Sequence, residues 1–299
     1  MSEGSSFRSG FVAVVGRPNV GKSTLLNQIM GSKVAITSDK PQTTRSPIRG
    51  ILDRPGAQIV FVDTPGYHKP RTLLGQRLNT VVRDAWSDVD LALFVVDGAA
   101  GVGRGDDRVA QDLRAARRPT FCVVNKVDRM TPGKIAENLA GASKLGDFKE
   151  FFPISAKTGD GVDVLVENVI AAMPEGPMYY PAGTRTDQPP PIFVAELVRE
   201  KLLRRTLDEL PHSIAVVTEE YEEREDGLLM IRATVFVERD SQKGIVVGKG
   251  GETIKAVGTE ARHEIETLFG RKVYLDLHAK VEKDWQRRSY ALEKMGYRA

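Results

Sequence analysis

The chain has 299 residues, 41% of them hydrophobic and 28% charged, with a formal net charge of +3. Domains usually run to roughly 100–200 residues, so two are expected, and the composition excludes a disordered or fibrous chain. A single cysteine, Cys122, excludes an internal disulfide and any Cys-rich zinc module.

Residues 1–9 are rich in Ser and Gly and read as a flexible N-terminus without the apolar segment of a signal peptide. No apolar run approaches the roughly 20 residues of a membrane-spanning helix. The expected location is the cytoplasm, with at most peripheral contact at the inner face of the membrane.

The first strand is Val12–Val15, followed at once by Gly16-Arg17-Pro18-Asn19-Val20-Gly21-Lys22-Ser23 and a helical stretch from Thr24 to Met30. This GxxxxGK[ST] pattern between strand and helix is a phosphate-binding loop. Its glycines let the backbone wrap closely, its N–H groups and the helix N-terminus hold phosphate oxygens, Lys22 reaches the β/γ-phosphates and the Ser23 hydroxyl ligates Mg²⁺. Pro41-Gln42-Thr43-Thr44-Arg45 follows as a polar loop.

The next strand, Gln58–Val62, ends in Asp63-Thr64-Pro65-Gly66. As in P-loop enzymes generally, Asp63 is placed to hold Mg²⁺ through water and the Gly66 N–H to meet the γ-phosphate. Tyr67 stands where Ras-like enzymes carry a water-positioning glutamine, so slow intrinsic hydrolysis is expected. His68 reads as an exposed residue beside this loop rather than a general base.

The strand Leu91–Val96 precedes Thr120–Val124, which contains Cys122 as a buried structural thiol. It ends in Asn125-Lys126-Val127-Asp128, which resembles the NKxD guanine-recognition motif. Guanine presents an N1–H and a 2-amino group on one edge. The Asp128 carboxylate can accept both, and losing so matched a pair rejects another base. Asn125 would steady the loop while the Lys126 stem covers one ring face. After the strand Phe151–Ile154, Ser155-Ala156-Lys157 resembles the element whose backbone N–H, here at Ala156, meets the guanine carbonyl. Continuous apolar strands alternating with helical stretches predict an α/β domain over 10–174, with a mostly parallel sheet and helices on both faces. Every motif follows a strand, where ligands bind in such sheets.

Residues 175–191 are rich in Pro and read as a linker. The second domain, 192–299, is expected to begin with a helix over 193–208. Strands near 213–221 and 228–238 come next, then a glycine turn, a helix over 252–268, a strand near 272–277 and a terminal helix from Lys283. The turn Gly248-Lys249-Gly250-Gly251, expected between a strand and a helix, matches the GXXG loop that clamps single-stranded RNA in KH domains. Lys249 and Lys255 would add phosphate contacts. Residues 243–299 carry 12 basic and 8 acidic residues, whereas 192–242 carry 7 and 12. The acidic run 219–226 is expected at a hairpin end turned away from RNA. His212, His263 and His278 are scattered and read as surface or core residues rather than metal ligands.

Together QTTR, DTPG, NKVD, the segment Val198–Leu203 and the GKGG turn resemble the TrmE/Era-type P-loop GTPases that carry a C-terminal type II KH domain, over nearly the whole chain. That resemblance implies Thr44 as the Mg²⁺ and γ-phosphate ligand, with Thr43 as the alternative. Lys22, Thr44 and Gly66 become the catalytic set, and Ser23, Thr44 and Asp63 the metal set. Gly16, Asn19, Val20, Gly21, Thr24, Thr64, Pro65, Asn125, Lys126, Asp128, Ser155, Ala156 and Lys157 complete the nucleotide contacts. Asn19 occupies the position whose asparagine accompanies K⁺ activation in some of these enzymes, so K⁺ is a candidate second cation. The resemblance further implies a monomer that hydrolyses GTP, binds the 3′ end of 16S rRNA in the 30S subunit, and associates peripherally with the membrane. The competing expectation is a membrane- or cell-cycle-associated switch whose second domain binds protein or lipid. A GTP-dependent RNA-modifying enzyme is disfavoured, because the second domain carries no catalytic cysteine, metal cluster or cofactor motif.

Overall fold

The computed structural model describes residues 7–40, 42–67, 70, 72–206 and 210–297, without the side chains of Ser87, Pro211 and His212. Pro41, His68, most of the flexible N-terminus and the tail of the helix expected over 193–208 lie outside the described residues, as does the His212 side chain. The described residues divide into two compact units. The first is drawn from Met1–Thr37, Gln42–Lys69 and Leu78–Asp187, the second from Ser38–Pro41, Pro70–Arg77 and Gln188–Ala299.

In chain order the first part of the sequence forms β1 (Arg8–Val15), α1 (Lys22–Met30), β2 (Ile48–Arg54), β3 (Ala57–Asp63), α2 (Leu73–Ser87), β4 (Leu91–Asp97), α3 (Arg104–Ala116), β5 (Thr120–Asn125), α4 (Pro132–Ser143), β6 (Glu150–Pro153) and α5 (Val162–Ala172). The six strands lie in the order β2-β3-β1-β4-β5-β6, with β2 antiparallel to β3 and all other pairs parallel. Alternation along β1 sorts the core into two layers. Val12 and Val14 pack with Leu25 and Leu26 of α1 and Leu165 and Val169 of α5. Ala13 and Val15 face the other way, onto Trp86 of α2, Val109 and Leu113 of α3 and Ala142 of α4. Each fully buried Val or Leu side chain contributes roughly 1.5–3 kcal/mol.

Strand β2 is absent from the sequence-based expectation. Its segment IRGILDR carries polar residues and Gly50, and as an antiparallel edge strand it lacks the continuous apolar character of its neighbours. Its register matters for function: Ile48 pairs with Asp63, which brings the loop just before it beside the end of β3.

The Pro-rich segment is not a free tether. Gln58, fully buried on β3, accepts from the N–H groups of Tyr179 (2.8 Å) and Tyr180 (2.9 Å) and donates to the Tyr180 carbonyl (2.9 Å). Asp53 accepts from the Gly183 N–H at 2.7 Å, Ile51 N–H donates to the Arg185 carbonyl at 2.9 Å, and Arg49 pairs with Asp187 at 2.7 Å. The segment is strapped along the β2 edge because these polar groups satisfy its backbone at Tyr179, Tyr180, Gly183 and Arg185.

The second unit contains α6 (Pro190–Arg205), a short α7 (Leu210–Ser213), β7 (Ala215–Glu223), β8 (Leu229–Val237), α8 (Asp240–Val247), α9 (Glu252–Phe269), β9 (Val273–Val281) and α10 (Ser289–Lys294). Pro190 and Pro191 open α6, where a missing N–H and a fixed φ suit the first helical turn. β7 pairs antiparallel with β8, and β8 parallel with β9, the pairing of a type II KH domain. Buried charges lock α6 onto α9: Lys201 pairs with both Glu200 and Glu264. Two expectations need correction. Val246-Val247 end a helix rather than a strand, because Gln242 Oε1 accepts from the Glu238 and Arg239 N–H groups and starts α8. The terminal helix begins at Ser289, after a 3-10 turn at Trp285–Arg287. Among the described residues no helix is long and apolar enough to cross a membrane.

Candidate functional site

The loop after β1 lies at the switch point of the sheet, where β1 has β3 on one side and β4 on the other. Gly16 has φ 154°, and a Cβ there would lie 2.3 Å from the Val95 carbonyl oxygen, so only glycine fits. Gly21 precedes α1 at φ 99°, and no side chain caps the helix N-terminus, an arrangement that suits a bound phosphate. Lys22 is 6% exposed, and its Nζ donates to the carbonyls of Gly16 (3.2 Å) and Arg17 (3.0 Å). Burial pushes its pKa down to about 8, against the pull of the nearby Asp63 carboxylate. Arg17 ties the loop to α3 through Asp106 at 2.7 Å, while Asp106 also accepts from the Gly103 N–H at 2.9 Å.

The predicted metal set converges. Ser23 Oγ lies 2.6 Å from Asp63 Oδ2 and 2.9 Å from Thr44 Oγ1, and Thr44 Oγ1 lies 3.2 Å from the same carboxylate oxygen. Burial raises the Asp63 pKa against the opposing charge of Lys22. Asp63 Oδ1 is buried with no hydrogen-bond partner among the described residues. Two hydroxyls and a carboxylate with an orphaned oxygen form a hard, all-oxygen donor set that fits Mg²⁺. Gly66 lies against the loop, where a Cβ would come within 2.8 Å of Pro18, and Thr64 is buried with its hydroxyl on the Val14 carbonyl at 2.9 Å. Tyr67 donates its N–H to the Gly16 carbonyl at 3.3 Å, but its ring is buried, 5.6 Å from Trp86, with the Arg108 guanidinium 5.8 Å from its centroid. Its side chain is packed into the core.

The loops expected to recognise the base meet around Asn125, which is 2% exposed. Its Nδ2 donates to the Val20 carbonyl (2.8 Å), and its Oδ1 accepts from the N–H groups of Lys126 (2.8 Å) and Ala156 (2.9 Å). One side chain thereby stitches three loops. It also holds the Ala156 amide that was expected to meet the guanine carbonyl, so that amide reaches a base only by a shared bond. Asp128 Oδ1 accepts from Ser155 Oγ at 2.7 Å. Between these loops lies a cavity of about 220 Å³ lined by Gly21, Thr24, Asn125, Lys126, Asp128 and Lys157 among others. The sequence did not reveal Asp97, at the end of β4, whose carboxylate meets Lys126 Nζ at 2.5 Å.

In the second unit the Gly248–Gly251 turn joins α8 to α9, with Gly248, Gly250 and Gly251 at φ 77°, 61° and 83°. Lys249 and Lys255 are exposed. At Lys255, α9 and β9 enclose a groove of about 340 Å³ lined also by Ile254, Thr259, Arg262, Tyr274 and Leu277 among others. Only Lys255 of these was singled out from sequence. The helical spacing of Lys255, Thr259 and Arg262 is the signal that could have found two more. The acidic segment does sit at the β7–β8 hairpin, and three of its six carboxylates form local ion pairs. Glu220 pairs with Arg232, Glu223 with Arg271 and Glu219 with Lys280.

Elsewhere, burial pushes the Cys122 thiol up to about 12. His278 lies 3.0 Å from Asp276 and His263 lies 3.8 Å from Glu266. Among the described residues, no group of three or more His, Cys, Asp or Glu is arranged to hold a metal.

Fold and site define a P-loop GTPase domain followed by a KH domain. A family model described as a 50S ribosome-binding GTPase matches residues 11–126, and a KH domain model matches 209–286. GTPase Era of Mycolicibacterium smegmatis is 50% identical over 298 residues, covering 98% of this chain and 100% of that protein. Two solved Era structures each superpose at a TM-score of 0.95 and cover 98% of this chain and 100% of theirs. One is a tyrosine-to-alanine variant from Aquifex aeolicus bound to GDP and AlF4⁻, 36% identical to this chain. The other is Era in complex with MgGDPNP and nucleotides 1506–1542 of 16S ribosomal RNA, 37% identical. The chain belongs to the Era family of GTPases.

Proposed function

We propose that this chain is a Mg²⁺-dependent GTP-hydrolysing switch in the cytoplasm, whose KH groove binds the 3′ end of 16S ribosomal RNA during small-subunit assembly. The observation that carries the RNA assignment is the full-length likeness to the Era–16S RNA complex, joined to a glycine turn and basic groove in the second unit. The glycines of that turn admit a sugar-phosphate backbone, and Lys249 and Lys255 contribute phosphate contacts.

At the nucleotide end, Ser23, Thr44 and Asp63 would hold Mg²⁺, which would supply charge neutralisation at the phosphates. Lys22 exchanges its two carbonyl partners for phosphate oxygens, and the Gly66 N–H meets the γ-phosphate. Asp128, steadied by Ser155, reads the guanine edge. Intrinsic hydrolysis is slow because the Tyr67 ring is core. A K⁺ ion at Asn19 would be a second source of transition-state charge compensation, and equal rates in KCl and NaCl would remove it.

The test is crosslinking to RNA in cells, comparing the wild-type chain with Gly250→Asp, whose backbone at φ 61° disfavours a side chain. Recovery of the 16S 3′ end, lost in the variant, is expected. Absence of ribosomal RNA, or an unaltered map in the variant, would overturn the partner. Base choice is tested separately: Asp128→Asn should shift preference toward xanthosine nucleotides.

A further inference from the structure

The β4–β5 register sets Asp97 directly beside Asn125, one residue from Lys126. Asp97 Oδ1 accepts from the Ala100 N–H at 3.1 Å, which fixes the carboxylate against its own turn. The other oxygen, Oδ2, takes Lys126 Nζ at 2.5 Å, and that ammonium also donates to the Asn19 carbonyl at 2.7 Å. Both ends of this second bond are unusual. Asn19 (φ 64°) and Lys126 (φ 71°) are non-glycine residues in the left-handed region, which costs energy and persists only where the surroundings impose it. One ammonium thus joins a strained residue of the phosphate loop to a strained residue of the base loop, and Asp97 holds that ammonium in place.

We infer that Asp97 is a positioning residue for guanine-nucleotide binding, acting through Lys126. Lysine carries four rotatable bonds and a strongly hydrated head. Without a fixed anion its stem samples many rotamers, and closing it over a base would freeze them. Asp97 freezes them beforehand, so the stem lines the base cavity before any nucleotide arrives, and the ordering cost is removed from binding. The pair is largely shielded, the side chains being 23% and 15% exposed, so its charge-assisted bond outweighs an open surface ion pair. Because the base end is identical in GTP and GDP, both nucleotides gain equally. This inference rests on guanine sitting over Lys126, as proposed above.

Asp97→Asn keeps an oxygen for the Ala100 N–H while presenting an amide to Lys126, so it removes the charge with least disturbance. Titration calorimetry should show GDP and a non-hydrolysable GTP analogue weakened by the same factor, about tenfold. Turnover at saturating GTP should be unchanged and KM raised. Lys126→Met should lose a similar amount, and the double variant no more than Lys126→Met alone. Unchanged affinity, a loss confined to the GTP analogue, a lower kcat at unchanged affinity, or additive losses in the double variant would each overturn the role. A fall in the melting temperature of the nucleotide-free protein with additive losses would mark Asp97 as merely structural. Asp128→Asn, run alongside, separates the levels. Retained guanine preference there removes the pocket assignment and this inference with it, whereas a switch to xanthosine with silent Asp97→Asn removes this inference alone.

Discussion

Ser23 Oγ donates to Asp63 Oδ2 at 2.6 Å, while the other oxygen of that carboxylate is buried with no partner among the described residues. A carboxylate kept dry and half-satisfied is costly unless a cation completes it. Ser23→Ala and Asp63→Asn should each lower Mg²⁺ affinity in the GTP complex by at least about 10–100-fold, a range seen even for residues one step removed from a metal. Titrating Mg²⁺ against a fluorescent GTP analogue measures this, and EDTA should weaken the wild-type complex while leaving Ser23→Ala little changed. Mg²⁺ dependence surviving intact in both variants would rule out this ligand set.

Tyr67 offers a substitution whose outcome runs against sequence analogy. Restoring the glutamine of Ras-like enzymes would place a polar amide among Trp86, Val82 and Phe94. Tyr67→Gln should therefore destabilise the protein by about 2–4 kcal/mol without raising kcat. Thermal unfolding and single-turnover hydrolysis decide the matter, and a tenfold faster hydrolysis would show that the side chain turns toward the γ-phosphate.

The strap along β2 depends on Gln58. Gln58→Leu leaves the Tyr179 and Tyr180 amides and the Tyr180 carbonyl without the partner seen here. Each such group costs about 1–3 kcal/mol when dry and less when water reaches it. A global loss of about 2 kcal/mol is expected, together with faster tryptic cleavage at the exposed Arg185. Cleavage no faster than wild type would mean that the Asp53 and Arg49 contacts suffice.

Cys122 gives a pH signature. Its thiol titrates near 9 when unfolded and is pushed up to about 12 in the folded chain. Between those values the folded state binds more protons than the unfolded one, so stability falls as pH rises, by about 1.4 kcal/mol per unit from this group. The contribution is intact below pH 9 and lost as pH approaches 12. Denaturant curves of wild type and Cys122→Ala should thus converge by about 1 kcal/mol between pH 9 and pH 10, where the unfolded thiol is only partly ionised at the outset, and thiol labelling at pH 8 should proceed only as fast as the protein unfolds.

The sequence carried those parts of the site that are contiguous. GRPNVGKS, DTPG, NKVD and SAK each place backbone and side chains within one turn, and each follows an apolar strand that periodicity reveals. What escaped depends on long-range pairing. Strand β2 is an edge whose identity comes from β3, and Asp97 is brought to Lys126 only by the β4–β5 register. The Gln58 contacts join residues more than a hundred positions apart. Val246-Val247 misled for a different reason: β-branched residues favour strands, yet here the cap at Gln242 decides for helix. The linker kept its prolines but not its freedom, since composition reports backbone stiffness and says nothing of what a polar neighbour will hold.

The strap has one more consequence, for anyone who divides the molecule. β2 is the outer strand of the six-stranded sheet, and the Ile51 N–H is satisfied by the Arg185 carbonyl. A fragment ending at Met173 would strip that cover and present an unpaired strand edge, the template on which chains stack into aggregates. Cutting after Asp187 instead keeps the edge closed and should yield a monodisperse nucleotide-binding fragment.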